Sequence, residues 1–403
     1  MVFSFTASLL AGAALAKGVL SAQAVPTNFT GVGGVPANFA YNATGDFNSS
    51  LMPANFTPAG GIVPMDPDPT YHPLSDFDYQ SLSLALYHEY IEYDLFNYAL
   101  TRFSDEEFDA AGINAEYRHL IRFMAQQEIG HIDLITNMLG PDAPKACQYK
   151  YDFDSVGGFL DFAQKQTQWT ESSTYGFLPH LNSRAAEQLL LQSITTEARQ
   201  EMSLRQLQGL FPYPVWFETG LPQSFAWTLL APYIVSCPPE NHRLVWQNFP
   251  GLHVVSPSTI TNYSNASYPQ YPNGTYMYPA AVSTNRTLPM SLPGQIVEFQ
   301  WEAPGQPIGP NASYTTSTSV NGAPQFAAWI SQLNVTYTPL NVTGNNSGST
   351  YQPSVHVYND STQQVINGSS FVVLTDIALP VTPFNLTAIN EHIVAGPLVY
   401  SSG

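Results

Sequence analysis

Residues 75–211 contain four long stretches in which apolar side chains recur about every 3.6 positions, the period of an α-helix. The cap-like sequence Ser75-Asp-Phe-Asp78 begins the first stretch, and a shorter capped turn follows it at Ser104-Asp-Glu-Glu107. Pro179 and Pro212 follow the last two stretches, and proline ends a helix because it lacks an amide hydrogen. The predicted helices cover about residues 75–103, 115–139, 155–175 and 183–210. Four such helices predict a four-helix bundle.

Ionisable residues lie inside the apolar faces of these helices. Glu89 is in the first helix, with Glu92 on the adjoining edge of the same face, and Glu197 is in the fourth. The second helix carries Glu128 and His131, which point to one side because they are three residues apart. A buried charge is costly unless it is paired or bound to a metal, so we expect these groups to converge inside the bundle.

This pattern nearly matches the ligand set of di-iron and di-manganese bundles, which is one Glu from each of two helices and a Glu-x-x-His pair from each of the other two. The fourth helix reads Glu197-Ala-Arg-Gln200, so a neutral amide stands in place of the second imidazole. An amide is a much poorer metal ligand than an imidazole. The remaining donors can hold iron, manganese or zinc. The predicted metal ligands are Glu89, Glu128, His131, Glu171 and Glu197.

Four sequence segments, one in each predicted helix, carry a family resemblance. They are His88-Glu-Tyr-Ile-Glu-Tyr-Asp-Leu-Phe96, Gln127-Glu-Ile-Gly-His131, Trp169-Thr-Glu171 with Tyr175-Gly176, and Ile194-Thr-Thr-Glu-Ala-Arg-Gln-Glu201. Residues from about 76 to 211 resemble the ferritin-like domain of desiccation-related proteins and of fungal secreted stress-response or sexual-development proteins. With two irons bound, the resemblance implies oxygen or peroxide reduction coupled to iron oxidation. Relatives of this pattern read Glu-Ala-Arg-His in the fourth helix, so Gln200 implies a degenerate di-metal site.

The composition changes after Cys237-Pro-Pro239, where Pro, Gly, Asn, Thr and Tyr become frequent and short alternating runs appear. Ile296–Trp301 and Phe371–Thr375 are typical β-strands. Several such runs separated by turn residues predict an antiparallel sandwich from about residue 245 to the end of the chain. The predicted fold class is therefore α+β, with a ferritin-like bundle at 75–240 and an all-β, sandwich-like domain at 241–403.

The N-terminal residues are typical of a secreted protein. Residues 1–24 form an apolar stretch that ends in Ala22-Gln-Ala24, a signal-peptidase pattern, and the alternative is an N-terminal membrane anchor. Its longest apolar run is too short to span a bilayer, and no later segment reaches that length. Residues 25–74 form a Pro/Gly/Asn-rich arm with a Pro-x-Asn-Phe unit at 26–29, 36–39 and 53–56.

Fifteen Asn-x-Ser/Thr sites support secretion because N-glycosylation occurs on secreted chains. None lies between Asn55 and Asn262, as expected if that interval consists of packed helices. An Asn-, Ser- and Thr-rich composition could produce fifteen sites by chance, but it does not explain why this interval has none. The predicted glycosylation sites are Asn28, Asn42, Asn48, Asn55, Asn262, Asn265, Asn273, Asn285, Asn311, Asn334, Asn341, Asn345, Asn359, Asn367 and Asn385.

Charge and cysteine content restrict the partners further. The net charge of −18, with only 12 basic residues, argues against nucleic acid as a ligand. Cys147 and Cys237 either form a disulfide, which an oxidising compartment favours, or remain free thiols.

Two functions follow from these features. The first is a non-catalytic extracellular or cell-wall-associated glycoprotein of stress or developmental type, in which the buried ionisable groups form a relic hydrogen-bonded network with Arg199 or Arg205 and no metal is bound. The second is a metal-binding ferritin-like oxidoreductase that uses iron or manganese with oxygen or peroxide. Gln200 and the many predicted glycans favour the first.

Overall fold

A computed structural model describes residues 71–210, 212–255, 293–354 and 368–402. The predicted signal peptide at 1–24 and the Pro-x-Asn-Phe units lie outside these residues. The described part of the chain contains six α-helices, which are α1 (Asp76–Arg102), α2 (Asp105–Ala110), α3 (Ala115–Leu139), α4 (Val156–Phe177), α5 (Arg184–Leu207) and α6 (Gln223–Leu230). The four long predicted helices are therefore confirmed, the capped turn extends into α2, and α6 was not predicted.

The buried carboxylate of Asp78 joins the beginnings of α1 and α5. It accepts hydrogen bonds from the backbone amides of Leu74 at 2.9 Å, Asn182 at 2.8 Å and Ser183 at 3.0 Å. The Ser183 hydroxyl in turn caps α5 by accepting a hydrogen bond from the Ala186 amide. Asp78 thus fixes the first turn of α1 next to the first turn of α5. This contact sets the relative position of the two helices along their axes, and therefore that of their glutamates.

The Cys147–Cys237 disulfide is present, as the sequence favoured, and its two Cα atoms are 4.3 Å apart. It lies beside a short antiparallel pair formed by β1 (Gln148–Tyr149) and β2 (Ile234–Ser236). The bond therefore joins the connection after α3 to the chain segment after α6.

The C-terminal part consists mainly of two antiparallel four-stranded sheets. The strands of the first sheet are, in spatial order, β3 (Leu252–Val254), β4 (Ile296–Trp301), β10 (Ser347–Tyr351) and β9 (Asn341–Gly344). Those of the second are β12 (Ile393–Ser401), β11 (Ser369–Thr375), β7 (Phe326–Ser331) and β8 (Asn334–Pro339). A separate two-stranded sheet pairs β5 (Pro307–Ile308) with β6 (Tyr314–Thr315).

The second sheet is buried on both faces. One face shares an apolar core with the first sheet, in which Phe299 packs with Trp329 and Val372. The opposite face packs Phe371 against the helical part, including Trp169 of α4. All seven residues of β11 are buried as a result. This arrangement confirms the predicted sandwich and shows that the helical and β-rich parts share one apolar core.

A close backbone contact holds the segment before α6 against α4. The Leu221 amide donates a hydrogen bond to the Ser172 carbonyl at 2.8 Å. A Cβ atom at Gly176 would lie 1.8 Å from the Leu221 carbonyl oxygen, a distance that no side chain allows. Glycine at position 176 is therefore required for this contact.

We expect Gly176→Ala to displace the 218–222 segment and to lower the free energy of unfolding by about 1–3 kcal/mol, the usual cost of overpacking. Gly157→Ala on the same helix is the matched control, because a Cβ at Gly157 meets no atom within 4 Å. The control should raise stability by roughly 0.5–1 kcal/mol, since alanine favours a helix over glycine. Urea unfolding measures both, and equal effects of the two substitutions would contradict the packing described here.

Candidate metal centre

His131 lies among carboxylates from three helices. Its Nδ1 is 2.9 Å from Glu128 Oε2 on the same helix, 3.1 Å from Glu89 Oε2 on α1 and 3.8 Å from Glu197 Oε1 on α5. None of the four residues is more than 9% exposed. The structure therefore brings together four of the five residues that the sequence suggested as metal ligands.

Thr196 defines the role of each His131 nitrogen. Its hydroxyl donates to the Ser193 carbonyl at 2.8 Å, so the same oxygen accepts a hydrogen bond from His131 Nε2 at 3.1 Å. Nε2 thus carries a proton, and Nδ1 is the nitrogen that faces the carboxylates. An orienting partner of this kind is typical of metal-ligating histidines.

Gln200 occupies the position of the second histidine and contacts a predicted ligand. Its Nε2 donates a hydrogen bond to Glu128 Oε1 at 2.5 Å, while its Oε1 has no hydrogen-bond partner among the described residues. Glu128 is thereby held between the Gln200 amide on one oxygen and His131 on the other. The amide nitrogen is a donor and does not coordinate a metal, so Gln200 in this orientation presents no ligand atom towards Glu128.

Glu92 belongs to the same cluster, although the sequence analysis placed it only at the edge of the face. It is fully buried, and oxygen atoms of Glu89, Glu92 and Glu128 lie within 4.8 Å of one another. Thr170 and Gln166 on α4 donate to Glu92 Oε1 at 2.6 and 3.2 Å. The spacing of three residues between Glu89 and Glu92 was the signal that could have identified it.

Glu171 lies in a different group. Its oxygen atoms are within 4.8 Å of those of Glu201 and Glu218, and not among the groups formed around His131. The arginines suggested for a relic network also lie elsewhere: Arg199 is exposed, and Arg205 interacts electrostatically with Glu201 and Glu218. His131 is hydrogen-bonded to Glu89 and Glu128, and Gln200 to Glu128, so a buried network of the predicted kind surrounds His131 with Gln200 as an additional member.

Burial dominates the electrostatics of the centre. It raises the pKa of Glu89 to about 7, against an opposing attraction to His131. Burial and repulsion from neighbouring carboxylates raise the pKa of Glu92 and Glu197 well above the usual range. Burial alone would lower the pKa of His131, but attraction to Glu89 and Glu128 outweighs it and raises that pKa. One imidazolium cannot neutralise four carboxylates, so the cluster holds protons or a cation.

The donor atoms form two overlapping groups that share Glu89, and only one of them contains an imidazole. Glu89, His131 and Glu197 place one ligand atom each within 4.8 Å of one another, from three different helices. Beside Glu128, Gln200 presents its amide nitrogen. Beside Glu92, α4 contributes the hydrogen-bond donors Thr170 and Gln166 rather than a carboxylate. The second group, Glu89, Glu92 and Glu128, consists of carboxylates only, and Gln200 stands where a second histidine would complete it.

Comparison with known proteins supports the assignment of the helical part to a known family. The family model described as a ferritin-like domain matches residues 77–210, so the helical part of the chain is a ferritin-like domain. Protein rds1 of Schizosaccharomyces pombe is 75% identical over 403 residues, and the match covers 100% of both chains. The chain therefore belongs to the family of Protein rds1.

Proposed function

We propose that this chain is a secreted, N-glycosylated protein of stress or developmental type whose ferritin-like domain has a degenerate di-metal centre. The observation that carries this proposal is the hydrogen bond from Gln200 Nε2 to Glu128 Oε1. It uses a lone pair of Glu128, a predicted metal ligand, and it comes from the position where the second histidine of the ligand set would lie. The remaining donors Glu89, His131 and Glu197 hold a single ion.

A single ion at this centre would stabilise the bundle without acting as a two-metal oxidase. It would replace the protons that the buried carboxylates hold, and it would cross-link α1, α3 and α5. When two irons are bound to a complete ligand set, they supply electrons for oxygen or peroxide reduction. This chain's own residues orient His131 through Thr196 and exclude water by burial, but they do not supply the second imidazole.

The alternative, a metal-dependent oxidoreductase, is favoured by one observation. Four carboxylates from three helices surround one imidazole, although a purely structural core would be cheaper to build from apolar residues. This observation supports a metal ion, but it does not require two.

Secretion is supported by the described glycosylation sites. Asn311, Asn341, Asn345 and Asn385 are exposed and Asn334 is half-buried, whereas the other predicted sites lie outside the described residues. Within the described residues, no helix combines the length and apolar character needed to cross a membrane.

Expression of the full chain in a fungal host tests secretion. We expect protein in the medium that loses apparent mass when N-glycans are removed enzymatically, and retention inside the cell when residues 1–24 are deleted. Unmodified protein found only in cell extracts of the full-length strain would contradict this part of the proposal.

Iron loading tests the degenerate centre. Wild-type protein stripped of metal and given Fe²⁺ should consume no more oxygen than buffer does, because the second half of the ligand set is missing. Gln200→His should bind one more Fe²⁺ per chain and begin to consume oxygen. Gln192→His, the same change at an exposed position of α5, is the matched control and should resemble wild type.

The opposite result would establish the alternative. If wild-type protein consumes oxygen with Fe²⁺ and Glu128→Ala abolishes this consumption, the chain is a two-metal oxidoreductase and Gln200 does not inactivate it. Circular dichroism of each variant confirms that the helices remain folded.

A further inference from the structure

A second acidic cluster lies outside the His131 centre. It joins Glu171 on α4, Glu201 on α5 and Glu218 in the segment before α6, and one oxygen atom from each lies within 4.8 Å of the others. Glu171 and Glu201 are 1% and 5% exposed, while Glu218 is half-buried. Glu201 follows Glu197 by one helical turn, so the cluster is about 6 Å along α5 from the central site.

Glu171 is the unusual member of this cluster. It is almost completely buried, yet neither of its carboxylate oxygens accepts a hydrogen bond from the described residues. Buried carboxylates normally accept several hydrogen bonds, because an unsatisfied one loses its hydration without replacement. Repulsion from Glu218 and Glu201 adds to burial in raising its pKa, and the nearby Tyr175 hydroxyl opposes that rise. A buried carboxylate with an oxygen atom within 4.8 Å of two other carboxylates is the arrangement expected of a metal ligand.

The surrounding structure holds the other two carboxylates in place. Gln164 Nε2 donates to Glu201 Oε1 at 2.9 Å and so fixes its orientation. Both neighbours of Glu218 are hydrogen-bonded to Gln332, because the Phe217 amide donates to the Gln332 side-chain oxygen and the Thr219 hydroxyl accepts from the Gln332 backbone amide. The three oxygen donors therefore come from three separately anchored elements, as a preformed site requires.

Arg205 neutralises only one of the three carboxylate charges in this cluster. Its guanidinium attracts Glu201 and Glu218 and opposes the rise in their pKa. Three carboxylates thus share one cation. Burial and mutual repulsion raise the pKa of Glu171 well above its usual range, and burial raises that of Glu201 to about 7. A divalent cation would supply the missing positive charge.

We propose that Glu171, Glu201 and Glu218 form a second metal site, which binds one hard divalent cation such as Mn²⁺ or Ca²⁺. All of its donors are carboxylate oxygens, the ligands that hard cations prefer, whereas the central site includes an imidazole. Glu201 and Glu218 are not part of the two-metal ligand set, so this site is separate from the degenerate centre and does not depend on the function proposed for it.

Manganese binding to the full-length, chelator-treated protein tests this site, with Mn²⁺ as the probe and equilibrium dialysis as the measurement. Glu218→Gln should bind one Mn²⁺ fewer per chain than wild type, and Glu171→Gln should do the same. Glu187→Gln is the matched control, since it removes another carboxylate that pairs with an arginine on α5, and it should leave binding unchanged.

His131→Ala separates the two sites. The Mn²⁺ ion that Glu218→Gln fails to bind should still bind to His131→Ala, whether or not the central site holds an ion. The double variant, which carries both substitutions, should not bind it. Unchanged Mn²⁺ binding by both Glu218→Gln and Glu171→Gln, with circular dichroism showing folded protein, would overturn the second site. Loss of Mn²⁺ only in His131→Ala would likewise overturn it, while leaving the central site intact.

Discussion

The burial of several carboxylates around one imidazole is the constraint on which the helical part of this protein depends. Glu89, Glu92, Glu128 and Glu197 are removed from water and share His131 as their one nearby cationic group among the described residues. Such a core is stable only if protons or a cation neutralise it, since unpaired buried charge costs several kcal/mol per group. Two hydrogen bonds serve this requirement. His131 is oriented by Thr196, and Gln200 donates to one of the buried carboxylates, Glu128.

The β-rich part also contributes to the acidic region, although indirectly. Its second sheet packs against α4 through Phe371 and Trp169, so the sheet covers part of the helix that carries Glu171. The chain between α5 and α6 crosses the same helix, where Gly176 lets it come close enough to place Glu218 beside Glu171. The sheets are therefore part of the support of the bundle rather than an attached module.

Much of this architecture could be predicted from local sequence. The limits of α3 follow from the Asn114 cap and from the glycine and proline after Leu139, and the inward direction of Glu128 and His131 follows from their spacing. The short helix α6 could not be predicted, because it is buried on most sides and has no polar face to reveal a helical period. The neighbours of Glu171 could not be predicted either. Glu218 reaches it only through a backbone contact between segments that are distant along the chain.

We expect the half of the bundle centre that contains His131 to bind a metal ion and the half beside Gln200 to bind none. Crystals of the full chain grown with Mn²⁺ and measured at the manganese absorption edge test this most directly. We expect one anomalous peak in contact with Glu89, His131 and Glu197, and no peak beside Gln200. A pair of peaks bridged by Glu128 and Glu197, with the Gln200 side-chain oxygen as a ligand, would contradict it.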